Sequence, residues 1–572
     1  MPQAQTIGKL FQESCRRRAD HPALLIPQKG GPRTILYREL YELAFQYACV
    51  LKELGLQRGD RINVFSENCH EWALLDWACQ TTGIALVPIY PTLPADQVAY
   101  IVQDSGAKLL VAGSPELEAK VTSSLSVPIH QLTSGDASIS ARAVTATGDR
   151  AEWEAGIDAI GADDMATIIY TSGTTGDPKG ATLLHKNIAG ITTQVKESLD
   201  VNENDTFLSF LPLSHVYERV DGHILPIVTG ATIAYSGSLA SLAQDMVWAK
   251  PTIMCCVPRF LEAMKERILD GVKKAPPLRQ KLFHACLNQG INKLRGKPAP
   301  FYPILDKLVA SKVRERTGGR LKFFVSGGMA MPMHVYEFFG AFGLRIQQGY
   351  GLTETSSGVV FNPVEDNKPH TVGIPVPGVE VKLAQDGEIL IRGLCVMAGY
   401  HNNPEATAAA IDGEGWFHTG DVGTWEGKHL MITDRKKDIL VLGNGKNVAP
   451  QRIEDKLRGR PTISEAILFG DSQNYVGGLI VPNVDHINAK LQGLGIKAPE
   501  PEKLLELEQV RAMIKADIDA TNKELADFEK VKKWKLILAQ FSVETGELTP
   551  SLKVKRKVIR ERYAAEIAGL FE

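Results

Sequence analysis

"IIYTSGTTGDPKG", residues 168–180, runs from an apolar triplet into a stretch with almost no bulk. Ile168, Ile169 and Tyr170 have the β-branched and aromatic character of a buried strand. Thr171, Ser172, Gly173, Thr174, Thr175 and Gly176 follow, and a single cation, Lys179, stands before Gly180. Glycines and hydroxyl side chains leave backbone N–H groups accessible and add O–H donors, a composition that cradles phosphate. The stretch is not a P-loop: that motif places lysine directly after its second glycine, and here Asp177 follows Gly176. The dinucleotide pattern G-x-G-x-x-G is missing too. A plain surface turn is the alternative, but a linker does not directly follow an apolar strand. The stretch reads as a phosphate loop of another kind.

The chain around it has 572 residues, enough for roughly three to four domain-sized units. Hydrophobic residues make up 44% and charged residues 23%, the balance of an ordinary globular protein. A formal net charge of -2 gives no overall drive towards nucleic acid. Cys15, Cys49, Cys69, Cys79, Cys255, Cys256, Cys286 and Cys395 form no C-x-x-C pair and no zinc spacing, so reduced buried thiols are expected. Residues 1–8 lack the apolar segment of a secretory signal, and no uninterrupted apolar run approaches the ~18 residues of a membrane span. A cytoplasmic protein is expected. "GKLFQESCRRR" (8–18), apolar plus basic, suggests weak peripheral membrane contact, with an ordinary surface helix as the plainer reading.

Periodicity predicts alternating helices and strands. Residues 37–54 have helical spacing closed by Gly55; 61–66 and 84–90 read as strands around a helix at 71–83; 98–106 and 108–113 repeat the alternation. That rhythm implies parallel sheets covered by helices. Two mostly β zones follow, at 371–393 and 429–446, and a composition change near Arg435 marks a boundary. The expected architecture is α/β. A large N-terminal domain (1–434) has parallel-rich sheets, covering helices and a β-subdomain. A hinge (435–440) joins it to a small mobile α+β C-terminal domain (441–572).

Several further stretches carry chemistry. "QQGYGLTETSS" (347–357) places Tyr350 between glycines of a turn, where it can stack on a flat base; Thr353 can donate to phosphate, and Glu354 offers the oxygen donor that Mg²⁺ favours. The competing reading is a helix start with Thr353 as N-cap. "FFVSGGMA" (323–330) ends a strand in Gly327 and Gly328, from close approach to a ligand or from a tight turn. "GWFHTGDVG" (415–423) sets Asp421 in a loop, able to accept from two ribose hydroxyls, although Asp is common in turns. "DRKKD" (434–438) offers Arg435, or simply a solvated charge run. "LPLSHVYERV" (211–220) carries His215 after an apolar strand, and a lone histidine is more often structural.

Taken together and in order, these stretches resemble the acyl-adenylate-forming superfamily, the AMP-binding enzymes, from about Tyr37 to Ile559. "YTSGTTGDPKG", "YGLTET" and "WFHTGD" carry the resemblance; "LPLSHVYER", "VPRFLEAM" (257–264) and "LVLGNGKNVAPQRIE" (440–454) are most similar to long-chain fatty acyl-CoA synthetases. The resemblance implies ATP-dependent activation of a long-chain fatty acid to acyl-AMP, then transfer to coenzyme A. ATP, coenzyme A and the fatty acid would be substrates, and Mg²⁺ the metal. It places Thr171, Ser172, Gly173, Thr174, Thr175, Gly176 and Lys179 on the β- and γ-phosphates. Gly328, Gly349 and Tyr350 would flank adenine, Thr353 would meet the α-phosphate, and Glu354 would hold Mg²⁺ with help from Thr171. Asp421 and Arg435 would hold the ribose, and His215 joins the catalytic set. The hinge falls at Lys437. "ELTPSLKVKRK" (547–557) places Lys553 as the catalytic lysine, with Lys555, Arg556 and Lys557 as rivals by charge alone. One departure stands out: Arg219 occupies the place where some relatives carry an aromatic gate to the acyl tunnel.

Val257, Phe260, Phe323, Val325, Met329, Val359 and Val360 form a non-ionisable set that fits an apolar acyl tail, or plain core packing. Two other functions compete: an acyl–acyl carrier protein synthetase using the same adenylation, and a non-catalytic nucleotide-binding regulator. The presence of Lys553 and Glu354 speaks against the regulator. Acyl chain length, oligomeric state and physiological pathway are not legible.

Overall fold

The computed structural model describes residues 5–171, 177–497, 499–538, 541, 545–548 and 554–572. Ser172, Gly173, Thr174, Thr175, Gly176 and Lys553 lie outside the described residues. The chain forms two compact units. The first comprises residues 1–382, 390–419 and 425–430; the second comprises 383–389, 420–424 and 431–572.

The first unit is built on parallel sheets, as the alternating pattern predicts. One sheet runs Ala85–Ile89, Arg61–Phe65, Leu109–Ala112, Ile129–Gln131, parallel throughout. Ala85–Ile89 and Leu109–Ala112 are apolar and buried throughout, and Arg61–Phe65 between them adds a buried Asn63. The helix His70–Thr82 is buried along nearly its whole length and ends at Gly83, whose φ of 72° gives a left-handed cap. A nine-stranded sheet runs Ile374–Pro375, Ser357–Phe361, Arg345–Leu352, Phe323–Ser326, Ile253–Cys256, Thr206–Ser209, Thr232–Tyr235, Pro22–Ile26, Arg33–Leu36. Its middle is parallel and both ends are antiparallel. A four-stranded sheet, not confined to the first unit, has the order Glu380–Leu383, Glu388–Arg392, Phe417–Glu426, His429–Arg435.

The opening stretch sits elsewhere. Met165–Thr171 pairs antiparallel with Lys179–Leu184, with Thr171 opposite Lys179. A P-loop joins a strand to a helix; here the chain leaves one strand and returns on its neighbour. Gly399–Tyr400 adds a third strand beside Lys179–Leu184.

The stretch suggested for membrane contact forms the helix Ile7–Arg17. Its apolar side chains are inside the unit: Ile7, Phe11 and Cys15 are buried, and Phe11 stacks on Trp77 at 4.3 Å. All eight cysteines are free, and seven are buried. Among the described residues no helix is long and apolar enough to cross a membrane.

In the second unit, Ile463–Phe469 and Val476–Pro482 pair antiparallel, and Val531–Leu536 runs parallel to the latter. The helices Pro450–Arg458, Val484–Gly493 and Glu508–Asn522 supply Ile453, Leu457, Ile487, Leu491, Val510 and Ile514 to one apolar core with that sheet.

Candidate active site

Tyr350 lies on the strand Arg345–Leu352, not in a turn, and is 7% exposed. Its flanking glycines serve close packing. A Cβ on Gly351 would stand 1.9 Å from the Ser357 carbonyl oxygen, and one on Gly349 would meet the Phe361 ring at 2.6 Å. Only glycine lets the two strands approach this closely. A 3-10 turn, Thr353–Thr355, follows. Thr355, not Thr353, closes it: its Oγ1 accepts from the Leu352 N–H at 2.8 Å. That leaves the helix-start reading of Thr353 unsupported.

The turn is held from behind by strained backbone. Ser356 and Ser357 have φ of 59° and 112°, values that side-chain-bearing residues rarely adopt. Three bonds over-determine them. Ser356 Oγ donates to the Cys395 carbonyl at 2.8 Å, Thr355 Oγ1 to the Ser357 carbonyl at 3.0 Å, and Ser357 Oγ to Asp221 Oδ2 at 2.7 Å. Asp221 belongs to a π-helical segment, Glu218–Ile224, in which both carboxyls are buried. Burial pushes Asp221 up to about 7, against the lowering effect of its bonds to Ser357 and Gly358. Burial likewise pushes Glu218 up to about 8.

Tyr400 connects this turn to the hairpin of Met165–Thr171 and Lys179–Leu184. Its hydroxyl donates to Glu354 Oε1 at 2.8 Å, and Lys179 Nζ stands 5.2 Å from its ring centre. The backbone joins as well: the Met397 N–H donates to the Glu354 carbonyl at 2.9 Å and the His401 N–H to the Gly180 carbonyl at 2.7 Å. Burial, reinforced by the Glu354 charge, raises the Tyr400 phenol, so it remains an O–H donor. Tyr400 is a site residue that sequence reading missed; a two-residue strand has no periodicity to announce it.

"HVYERV" and "FFVSGGMA" also meet. Tyr217 OH donates to the Val325 carbonyl at 2.7 Å, and a Cβ on Gly327 would lie 3.4 Å from the Tyr217 ring. Gly328 has φ of 83° and open space beside it. His215 Nδ1 accepts from the Tyr217 N–H at 3.1 Å, so a neutral ring carries its proton on Nε2. Arg219 points inward. It is fully buried, bonds Asp76 through Nε (2.9 Å) and Nη2 (2.6 Å), and donates from Nη1 to Thr167 Oγ1 at 2.7 Å. It is an internal strut and cannot swing as a gate. Among the suggested tail-lining residues, Phe323, Val325, Val359 and Val360 are core, while Phe260 packs on Phe210 with ring centres 4.7 Å apart.

In the second unit, Asp421 lies on the strand Phe417–Glu426 rather than in a loop. It is buried and accepts from Arg435 Nε at 2.8 Å, while Arg435 stays 41% exposed. Lys437 occupies an exposed turn in which the Asp438 and Ile439 N–H groups donate to the Arg435 carbonyl. Of the rivals to Lys553, Arg556 is occupied: it makes a two-pronged bond to Glu454 at 2.8 and 3.0 Å and reaches the Leu468 carbonyl. Lys555 caps the helix Arg556–Arg562, and Lys557 is exposed.

Among the described residues, no group of three His, Cys, Asp or Glu could form a metal cage. A Mg²⁺ that shares substrate phosphates needs only one or two carboxylates, and half-buried Glu354 with the Thr171 hydroxyl supplies hard oxygen donors of that kind.

These features, a Lys179 hairpin joined through Tyr400 to a Thr-Glu turn, are those of an adenylate-forming enzyme. The AMP-binding enzyme family matches residues 11–401 and the AMP-binding enzyme C-terminal domain residues 437–572; the chain belongs to this family. It is 34% identical to the long-chain-fatty-acid–CoA ligase FadD15 of Mycobacterium bovis over 91% of this chain and 89% of that protein. It is 32% identical to the peroxisomal long chain acyl-CoA synthetase 6 of Arabidopsis thaliana over 91% and 78%. The fold matches a Mycobacterium tuberculosis fatty acyl CoA synthetase (TM-score 0.65, 24% identity, 98% and 99% covered) and ATP-bound MatB from Rhodopseudomonas palustris (TM-score 0.73, 24% identity, 97% and 99% covered).

Proposed function

We propose that this protein is a long-chain fatty acid–CoA ligase. It activates a long-chain fatty acid with ATP, releasing pyrophosphate and forming acyl-AMP, and then transfers the acyl group to coenzyme A, releasing AMP. The observation that carries this reading is the junction made by Tyr400, which ties the Lys179 hairpin to Glu354. The long-chain substrate rests on the names of the relatives.

A carboxylate is a poor acyl donor because its leaving group would be oxide; adenylation supplies AMP instead. The attack on the α-phosphorus gathers negative charge on phosphoryl oxygens, and fixed donors that meet developing charge lower the barrier most. In this reading Lys179, Thr171 and the hydroxyl-rich loop between them bind the β- and γ-phosphates. Thr353 donates to the α-phosphate, Tyr350 with Gly349 and Gly328 borders adenine, and Asp421 with Arg435 receives the ribose. Lys553 supplies the cation at the α-phosphate. Tyr400 aims the Glu354 carboxylate, and His215 steadies the start of the helical segment beside Gly327. Bound Mg²⁺, held by Glu354 and Thr171, would neutralise phosphate charge. Lys437, in its exposed turn, is the hinge that exchanges the adenylating and thiol-accepting arrangements. The protein works in the cytoplasm.

Acid-dependent ATP–pyrophosphate exchange, screened across fatty, aryl and amino acids, tests the reading. Exchange with long-chain fatty acids is expected; exchange with aromatic acids alone would overturn it.

A further inference from the structure

Ile253–Cys256 and Phe323–Ser326 are parallel neighbours, and residues 257–322 form the crossover between them. This crossover is a set of helices: Pro258–Lys273, Pro277–Leu294, Tyr302–Leu305, Asp306–Ala310 and Ser311–Glu315. Its inner side is spent on the core, where Phe283, Cys286, Leu305 and Ala310 join Phe338, Phe339 and Phe342. The segment 301–310 is apolar on its outer side as well. Phe301, Ile304 and Leu308 are 64%, 61% and 57% exposed, at spacings of three and four that put them on one helical face. Large apolar side chains left together in water mark a docking surface.

The surrounding charge says what docks. Residues 273–322 hold thirteen Lys and Arg against two Asp and Glu, in a chain whose net charge is -2. Arg295, Arg314, Lys322 and Lys273 are engaged with Glu337, Asp306, Asp205 and Asp270. Lys297, Lys307 and Lys312, close in sequence to the apolar face, are exposed. Apolar side chains that enter the headgroup–acyl boundary, ringed by lysines that meet anionic headgroups, form the pattern of an interfacial helix.

We propose that the face bearing Phe301, Ile304 and Leu308 docks this protein on an anionic lipid bilayer, with Lys297, Lys307 and Lys312 meeting the lipid phosphates. This moves membrane contact away from the helix Ile7–Arg17, whose Ile7, Phe11 and Cys15 are enclosed. Both halves of the surface are needed: the apolar face alone fits a second copy of the chain equally well, and the lysines alone fit any polyanion.

The test is co-sedimentation of the full-length protein with vesicles of phosphatidylcholine alone or mixed with phosphatidylglycerol, without ATP or fatty acid. Binding is thus read independently of turnover. The protein is expected to bind the anionic vesicles at least about tenfold more tightly than the neutral ones, and less tightly as salt rises. The triple variant Phe301→Ser, Ile304→Ser, Leu308→Ser and the triple variant Lys297→Glu, Lys307→Glu, Lys312→Glu should each lose that binding about tenfold or more. Both should keep the wild-type melting curve, which shows that they fold. Equal vesicle binding by wild type and both variants would overturn the proposal. So would a concentration-dependent dimer that the serine variant dissolves while vesicles go unbound.

Discussion

Arg219–Asp76 and Arg435–Asp421 are the same chemical pair in two settings. Arg219 and Asp76 are 0% and 1% exposed, joined at 2.6 Å. Burial works against the Asp76 charge, but the Arg219 charge and hydrogen bonds win and hold the carboxyl below its ordinary range. Arg435 meets Asp421 at 2.8 Å with 41% of its own side chain in water. The first pair has no face left for a ligand, so it can only brace the fold. The second leaves Arg435 partly in water, as the ribose contact in the proposed function requires. Burial, and not residue type, separates the two pairs.

Four substitutions break or sharpen this contrast. Arg219→Ala takes from buried Asp76 its guanidinium partner and leaves it only the Gln80 amide and the neighbouring His223, a loss of about 3–5 kcal/mol. A denaturant midpoint should show it, and a wild-type midpoint would mean that the pair is not a strut. Glu354→Gln keeps shape and hydrogen bonding to Tyr400 but removes the charge; pyrophosphate exchange should fall about a hundredfold with an unchanged melting curve. An unaltered Mg²⁺ dependence would remove Glu354 from the metal.

Asp221→Asn probes a buried acid that pairs with no cation among the described residues. Its folded carboxyl, raised to about 7, keeps its proton where the unfolded chain has lost it near pH ~4. Between those values the folded state binds more protons, so stability falls as pH rises through the window. The variant should gain on the order of 1–3 kcal/mol over wild type at pH 8 and almost nothing at pH 4, read from melting at the two pH values. A gain independent of pH would place the effect elsewhere. Arg435→Ala is the mildest: stability within about 1 kcal/mol of wild type, with the KM for ATP raised about tenfold. A collapse in stability would erase its difference from Arg219.

Much of this was legible beforehand. The strands and helices of residues 37–113 follow from hydrophobic period, and the strand that ends at Thr171 from its β-branched and aromatic residues. What escaped was long-range. Asp76 and Arg219 are 143 residues apart, and nothing local in either helix announces the other. Tyr350 looked like a turn residue because its glycines looked like turn glycines, yet Gly351 serves the approach of the Ser357 strand. The sequence suggests a loop at Asp421 for the same reason, since Gly420 and Gly423 flank it, yet it lies within a strand.

A single-turnover reaction tests the central claim most directly. The purified protein is mixed with Mg²⁺, ATP and a long-chain fatty acid, and coenzyme A is withheld and then added. Pyrophosphate and enzyme-bound acyl-AMP should appear before coenzyme A, and thioester with free AMP only after it. Pyrophosphate release that waits for coenzyme A, or ADP in place of AMP, would contradict the account.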